Sequence, residues 1–146
     1  MMNKPQKITL VLATRNAHKV EELTAILADL PVTVRSLKDY PDAPEVEETG
    51  STFAVNATLK ATAIAAATGE LALADDSGLV VDALDGAPGI YSNRFAGPDA
   101  TDVQKYEKVL LLLQDVPEEK RTARFVAAVT LTAPDGWTRT VTGVCE

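Results

Sequence analysis

The sequence has little cysteine, no long apolar run and a shortage of positive charge. Cys145 is the one cysteine among 146 residues. No disulfide can therefore form within the chain, and we expect a reducing compartment, the cytoplasm. The apolar run at residues 110–113 is far too short to span a bilayer, and residues 1–7 lack the apolar region of a signal peptide. We expect no membrane association.

Positive charge is scarce because 14 Lys and Arg residues face 21 Asp and Glu residues, which gives a net charge of −7. Binding to a nucleic-acid backbone requires a basic surface, so we expect no nucleic-acid partner. A small polyphosphate is not excluded, since it usually arrives with Mg²⁺ and suits a site with both acidic and basic parts. The length and the lack of repeats or linkers predict a single domain over residues 1–146.

Two adjacent carboxylates, Asp75 and Asp76, lie between the apolar runs 71–74 and 79–84. Each run has the length of a strand, and Asp-Asp-Ser-Gly is typical of a turn, so the pattern predicts two strands with the carboxylates at their tip. Ionising both carboxylates costs free energy unless a cation compensates, and Mg²⁺ commonly bridges carboxylates to substrate phosphates. A polar turn that merely faces water is the alternative.

Near the N-terminus, a nearly continuous apolar run at residues 7–13 predicts a buried strand, and helical spacing begins directly after Asn16. Asn16 is a suitable N-cap, and the backbone amides at a helix start favour an anion. Arg15 and Lys19 add two positive charges beside them. An ordinary capped helix with solvated cations explains the pattern equally well, and we expect His18 at the surface rather than in catalysis.

An alanine-rich helix is predicted over residues 53–68, with Gly69 as its stop signal. The acidic Glu47 and Glu48 precede it, and they are either solvated charges or further carboxylates for a metal. Lys60 shares one helix face with Asn56, and we expect it at the edge of a cleft. The other predicted elements are a strand at 32–35, a helix behind a capping box at 101–104, and a hairpin of strands 124–131 and 137–144.

Three blocks of sequence occur together: Leu-Ala-Thr-Arg-Asn-Ala-His-Lys at 12–19, Glu-Glu-Thr-Gly with the helix start at 47–61, and Ala-Asp-Asp-Ser-Gly-Leu leading to Gly-Ala-Pro-Gly-Ile-Tyr-Ser at 74–92. In this order they resemble the inosine triphosphate pyrophosphatase family over nearly the whole chain. The resemblance implies an α/β fold with an elongated mixed β-sheet flanked by helices, two-lobed with a central nucleotide cleft. It also implies a homodimer.

The resemblance further implies a Mg²⁺-dependent reaction. Inosine, deoxyinosine or xanthosine triphosphate would be cut between the α and β phosphates, which gives the monophosphate and pyrophosphate and cleanses the nucleotide pool. Asp76 matches the proton acceptor and metal ligand, Asp75 would assist it, and Glu47 or Glu48 would supply the second metal ligand. The substrate-binding positions that the resemblance implies are Thr14, Arg15, Asn16, Ala17, His18, Lys19, Lys60 and Ser77.

Members of this family continue, past the position that corresponds to Glu146, into a Phe-Gly-Tyr-Asp segment, a later lysine and a Ser-His-Arg motif, which contribute to purine recognition. We therefore expect the domain to be incomplete at its C-terminus. Two alternatives follow for function. The chain is a truncated, non-catalytic nucleotide-binding protein, or it is a house-cleaning hydrolase for other modified nucleoside triphosphates.

Overall fold

The computed structural model describes residues 7–146; the predictions for residues 1–6, including the lack of a signal peptide, lie outside the described residues. In this described part of the chain, five strands form one sheet in the order β2-β1-β3-β4-β5, and there are three α-helices. The strands are β1 (Ile8–Leu12), β2 (Val32–Ser36), β3 (Leu71–Val81), β4 (Ala123–Thr132) and β5 (Thr138–Cys145), and the helices are α1 (Ala17–Ile26), α2 (Phe53–Thr68) and α3 (Asp102–Leu112).

The sheet is mixed, as predicted. β1 pairs in parallel with β2 on one side and with β3 on the other. β3 and β4 pair antiparallel along almost their whole length, and β4 and β5 form the predicted hairpin. The short pairing of β1 with β3, from Leu10 opposite Leu71 to Leu12 opposite Leu73, leaves the rest of β3 extending past the end of β1.

The core forms where α2 packs on the central strands. Alanines at positions 57, 61 and 65 are fully or almost fully buried, and their small side chains let the helix lie close to the sheet. The Thr52 side chain accepts a hydrogen bond from the Val55 amide at the start of α2, and Gly69 ends the helix with φ of +70°. These local signals explain why the predicted bounds of this helix are confirmed.

The prediction of two strands around an Asp-Asp-Ser-Gly turn is wrong. β3 is one continuous strand from Leu71 to Val81, and Asp75 and Asp76 lie in its middle. The reason is long-range pairing: β4 is registered against the whole segment, from Thr132 opposite Ala72 to Ala123 opposite Val81. Tertiary context therefore overrides the turn preference of these residues. The two carboxylates lie in the middle of a paired strand instead of at the tip of a strand pair.

The helix α3 has a well-formed cap at its N-terminus. α3 begins with the predicted capping box, in which Thr101 and Gln104 bond each other's backbone amides. The segment between β3 and α3 contains two short 3₁₀ helices, Asp82–Leu84 and Gly89–Arg94.

Among the helices of residues 7–146, none has the length and apolar character that crossing a bilayer requires.

Candidate active site

The candidate site lies at the crevice between the carboxyl ends of β1 and β3. From β1 the chain runs through α1 to β2 on one side of β1, whereas β3 pairs with the opposite side. Such a switch point opens a crevice in which α/β sheets bind ligands. Because β1 stops at Leu12, Asp75 and Asp76 continue β3 along this crevice.

The start of α1 forms one side of the crevice. Asn16 is the N-cap, as predicted, and its Oδ1 accepts hydrogen bonds from the amides of His18 at 3.0 Å and Lys19 at 3.3 Å. The backbone N–H of Asn16 donates a hydrogen bond to Thr14 Oγ1 at 3.2 Å, which tightens the turn. Arg15 reaches away from the turn and donates to the Ala43 carbonyl at 3.1 Å. The positive end of α1 therefore faces the crevice.

Two lysines link this turn and α2 to the carboxylates. Lys19 Nζ lies 2.9 Å from Asp75 Oδ2, and these side chains are only 23% and 14% exposed. Lys60 donates to the main-chain carbonyl of Asp75, and its Nζ lies 3.5 Å from Glu48 Oε1. Acidic and basic side chains from four segments thus meet within one small region, the arrangement that a polyphosphate with a cation requires.

Asp76 is the most deeply buried carboxylate of this group, with 2% of the residue exposed. Burial is the largest cause that raises the pKa of Asp76, to about 6, and the negative charge of Glu48 acts in the same direction. Lys60, a hydrogen bond from the Asn56 side chain, and Lys19 all lower this pKa, but they do not offset the first two causes. A buried carboxylate with a perturbed pKa in a crevice is typical of a functional site.

Among the residues that the structure describes, two buried carboxylate oxygens have no hydrogen-bond partner: Asp75 Oδ1 and Asp76 Oδ2. Leaving such oxygens unpartnered costs free energy, which a hard cation bound to them would recover. Within residues 7–146, no three His, Cys, Asp or Glu side chains converge into a group that would hold a metal by themselves. Mg²⁺ is commonly held by one or two carboxylates together with substrate phosphates and water, and the donors present fit that pattern.

Asn56 is a residue of this site that the sequence interpretation did not assign to it. Its Oδ1 accepts a hydrogen bond from the Gly50 amide at 2.7 Å, and only 1% of the residue is exposed. A Cβ on Gly50 would lie 2.7 Å from this oxygen and 2.5 Å from Val55 Cγ1, so only glycine fits here. The sequence did contain a signal for this role: Asn56 is a polar residue on the face that the alanine-rich helix α2 buries.

A cavity of about 210 Å³ opens over this cluster. It is lined mostly by the turn before α1, by the segment before α2 and by α2 itself. The Asn93 side chain of the Gly89–Arg94 segment also reaches it. Of the residues predicted as ligands, six line it: Thr14, Arg15, Asn16, Lys19, Glu48 and Lys60.

The other predicted site residues lie outside the lining of this cavity, and these include Asp75 and Asp76, which are mostly buried behind it. Ala17 and His18 are exposed on the first turn of α1, and Glu47 is exposed on the loop, whereas its neighbour Glu48 is half-buried. Ser77 follows Asp76 on β3 and faces a larger neighbouring cavity of about 600 Å³ beneath α3. The structure therefore brings Glu48, rather than Glu47, to the carboxylate and lysine cluster.

The wall between the two cavities is a close backbone contact. Ser92 Oγ donates to the Gly89 carbonyl at 2.6 Å and accepts from the Leu79 amide at 3.0 Å. At Gly78, a Cβ would lie 2.4 Å from both the Gly89 carbonyl and Ser92 Oγ. The glycine lets the Gly89–Arg94 segment dock directly on β3, and this places Asn93 at both cavities.

Comparison with known proteins places these features in a family. The model of the Ham1 family matches residues 10–146. A curated relative from Exiguobacterium sibiricum, named dITP/XTP pyrophosphatase, is 55% identical over 137 residues, which cover 94% of this chain and 69% of the relative. A relative of the same name from Geobacter sulfurreducens is 54% identical over 134 residues, or 92% of this chain and 67% of the relative.

The fold agrees with the sequence relationship. The solved structure of a HAM1 protein from Coxiella burnetii superposes with a TM-score of 0.87 at 39% identity, covering 95% of this chain and 71% of that protein. The resemblance indicated by the three sequence blocks is thereby confirmed, as is the α/β class with a mixed sheet flanked by helices. This chain belongs to the Ham1 family.

Proposed function

We propose that this protein hydrolyses non-standard purine nucleoside triphosphates, namely dITP, ITP and XTP, to the monophosphate and pyrophosphate with Mg²⁺. Curated relatives at 55% and 54% identity are named dITP/XTP pyrophosphatases. The observation that carries the proposal for this chain is Asp76, a buried carboxylate with an unpartnered oxygen beside Glu48 and close to two lysines. Glu48, Lys19 and Lys60 of this cluster line a cavity at the positive end of α1.

Asp76 and Glu48 are the side chains that would hold Mg²⁺, because Asp76 Oδ2 has no partner among the described residues and the charge of Glu48 acts directly on Asp76. Glu47 matches a family ligand position by sequence, but it lies exposed outside the cavity, and Glu48 is our choice for this reason. Bound there, the ion would neutralise phosphate oxygens and lower the pKa of a bound water. Without the ion, the negative charges of Asp76 and Glu48 would repel the phosphates.

The triphosphate would replace carboxylates as the partner of the lysines. In the ligand-free protein, Lys19 pairs with Asp75 and Lys60 pairs with Glu48. A cation held by Glu48 would compete with Lys60 for that carboxylate, and the triphosphate would compete with Asp75 for Lys19. The freed ammonium groups could then bind the departing pyrophosphate, while the capped turn from Thr14 to Lys19 would hold the phosphate chain.

Asp76 would act as the proton acceptor. Hydrolysis between the α and β phosphates requires that a water oxygen bond to phosphorus, that this water lose a proton, and that the bridging oxygen leave with pyrophosphate. The oxygen of Asp76 that does not bind the cation would accept this proton; the pKa of about 6 applies to the metal-free protein, and a bound cation would lower it. Phosphoryl transfer needs mainly charge neutralisation and positioning, so no covalent intermediate with the protein is required.

Two further parts of the proposal concern the setting of the enzyme. A homodimer follows from the family resemblance, and sedimentation velocity at several protein concentrations tests it. The cytoplasm is the proposed compartment because the lone Cys145 is a free thiol. Fluorescence microscopy of a tagged protein in the native cell tests this second point.

The direct test is a substrate panel with the purified protein. Pyrophosphate release is measured with dITP, ITP and XTP, and with dATP, dGTP and modified pyrimidine triphosphates as controls, each with Mg²⁺ and with a chelator. We expect Mg²⁺-dependent release from the three non-standard purines alone. Turnover of modified pyrimidines instead would indicate another house-cleaning hydrolase, and calorimetric binding of dITP without turnover would indicate a non-catalytic nucleotide-binding protein.

A further inference from the structure

Asn56 occupies an unusual position for a polar side chain. It lies in the second turn of α2, a helix in which the neighbouring buried residues are alanine and isoleucine. Only 1% of Asn56 is exposed. Burying an amide costs free energy unless its donor and acceptor are used, so both ends of this side chain need partners.

One end of the amide holds the loop that carries Glu48. The Gly50 amide donates to Asn56 Oδ1 at 2.7 Å, and the lack of a Cβ on Gly50 permits this approach. Glu48 lies two residues earlier, and its carboxylate is held 3.5 Å from Lys60 Nζ, one helical turn beyond Asn56. Two side chains on one face of α2 therefore fix this loop.

The other end of the amide serves Asp76. Because the Gly50 N–H is a donor, it must face the amide oxygen, and this leaves the Nδ2 donor of Asn56 for another partner. A hydrogen bond from the Asn56 side chain lowers the pKa of Asp76, and an ionised carboxylate can only accept. One orientation of the amide therefore serves both the Gly50 donor and the Asp76 carboxylate, whose Oδ2 has no other partner among the described residues.

We propose that Asn56 is a positioning residue, which fixes the Glu48 loop and the Asp76 carboxylate in one frame so that both can bind the same cation. The inference rests on the proposed function. Asn56 does not line the cavity, and its buried amide is used by Gly50 and Asp76. Its loss should therefore lower kcat and the affinity for the metal, and leave the KM for the nucleotide almost unchanged.

Two variants separate positioning from its alternatives. Asn56→Asp keeps an acceptor for the Gly50 amide but removes the donor to Asp76, whereas Asn56→Leu has a similar volume and removes both. We expect both variants to lose about 10- to 100-fold in kcat, as is typical when a residue that orients a metal ligand is removed. If the residue only holds the loop, Asn56→Asp keeps its kcat. If added charge alone is harmful, Asn56→Leu keeps its kcat.

Metal binding without nucleotide supplies a second measurement, using Mn²⁺ and water-proton relaxation. A new negative charge by itself would tighten Mn²⁺ binding to Asn56→Asp, whereas lost positioning would weaken it. Weaker binding together with lower kcat supports the inference even if Asn56→Leu does not fold. Tighter binding, or a kcat within twofold of the wild type in the folded Asn56→Asp variant, overturns it.

Thr58→Val is the matched control on the same helix. Thr58 Oγ1 lies 3.3 Å from Thr130 Oγ1 and 3.4 Å from Thr140 Oγ1, so its hydroxyl belongs to a threonine cluster between α2 and the sheet. This substitution should change the melting temperature but neither kcat nor Mn²⁺ affinity. If the wild type itself does not hydrolyse dITP, the proposed function fails; if the wild type is active and Asn56→Asp equals it, only the role of Asn56 fails.

Discussion

Lys19 and Asp75 form an ion pair of 2.9 Å that joins the first turn of α1 to the middle of β3. Both side chains are mostly buried, so the pair lies in a medium of lower dielectric constant than water, where each charge depends on the other. A triphosphate would offer Lys19 a second anionic partner, and a bound cation would offer Asp75 a second cationic partner. The pair thus links the two halves of the proposed site.

Replacement of Lys19 by methionine tests the phosphate half. Lys19→Met keeps most of the apolar stem and removes the charge that would bind the triphosphate. Because a hydrogen bond to a charged group contributes about 1.5–3 kcal/mol, we expect the KM for dITP to rise by roughly 10- to 100-fold. Lys120→Met, at an exposed lysine of the Glu118–Lys120 turn, is the control. A KM within twofold of the wild type would place the phosphates elsewhere.

The two adjacent glutamates offer a test of the metal half. Glu48 is half-buried near Lys60 and Asp76, whereas Glu47 is exposed and does not line the cavity. We expect Glu48→Gln to raise the Mg²⁺ concentration for half-maximal activity about tenfold or more, and Glu47→Gln to change it by less than threefold. Measuring pyrophosphate release against Mg²⁺ concentration for both variants decides between them. The reverse order would mean that the loop rearranges when the metal binds.

Asp76→Asn should remove activity, because the variant has no base at this position. General base catalysis contributes typically 10²–10⁴-fold, so we expect kcat to fall by at least about 100-fold. Circular dichroism and the melting temperature should show that the variant is folded. Retention of more than a tenth of the wild-type kcat would contradict the assignment of Asp76 as proton acceptor.

The same variant should be more stable than the wild type when metal is absent. Burial raises the pKa of Asp76 from 3.8 to about 6, so the folded state holds this proton more tightly than the unfolded chain. The contribution of Asp76 to stability therefore falls as the pH rises from about 4 to about 6, and the full penalty is present above that range. At 1.36 kcal/mol per pKa unit, the penalty is roughly 2–3 kcal/mol.

Urea denaturation in a chelator at about pH 4 and about pH 8 measures this effect. Asp76→Asn should unfold at a higher urea concentration than the wild type at the higher pH, and the difference should nearly vanish at the lower pH. Asp135→Asn, at an exposed aspartate of the β4–β5 turn, is the control and should show no such difference. A wild type that is the more stable protein at the higher pH would refute the penalty.

Local sequence signals were sufficient for the elements whose ends are set by neighbouring residues. The bounds of α2 follow from Thr52 and Gly69, which cap it through their own side chain and backbone conformation. The cap of α1 at Asn16 follows in the same way. These interactions lie within a few residues along the chain, and a sequence pattern contains them completely.

Pairing between distant segments could not be deduced from the local sequence. Asp75 to Gly78 have turn propensity, but β4 pairs with them from about fifty positions further along the chain. The roles of Glu48 and Asn56 depend in the same way on the docking of the loop onto α2, where the Gly50 amide donates to Asn56 and Glu48 pairs with Lys60. Family resemblance identified the carboxylates, whereas the structure was needed to rank the two glutamates.

Gly78 provides a last test, because it permits the continuous β3 to contact the Gly89–Arg94 segment. In Gly78→Ala the new methyl group would lie 2.4 Å from the Gly89 carbonyl and from Ser92 Oγ, so the segment must move away. We expect a loss of about 1–3 kcal/mol in the free energy of unfolding, as is usual for overpacking, and a lower kcat, since Asn93 and Ser77 border this contact.

Gly143→Ala is the matched control for this prediction, because Gly143 is also a strand glycine and a Cβ there would meet nothing within 4 Å. This variant should be as stable as the wild type or slightly more stable, since alanine loses less backbone entropy on folding than glycine. Urea denaturation compares the two variants. Equal stability of Gly78→Ala and Gly143→Ala would show that the Gly89–Arg94 segment is not packed tightly on β3. The contact that separates the two cavities would then be able to open.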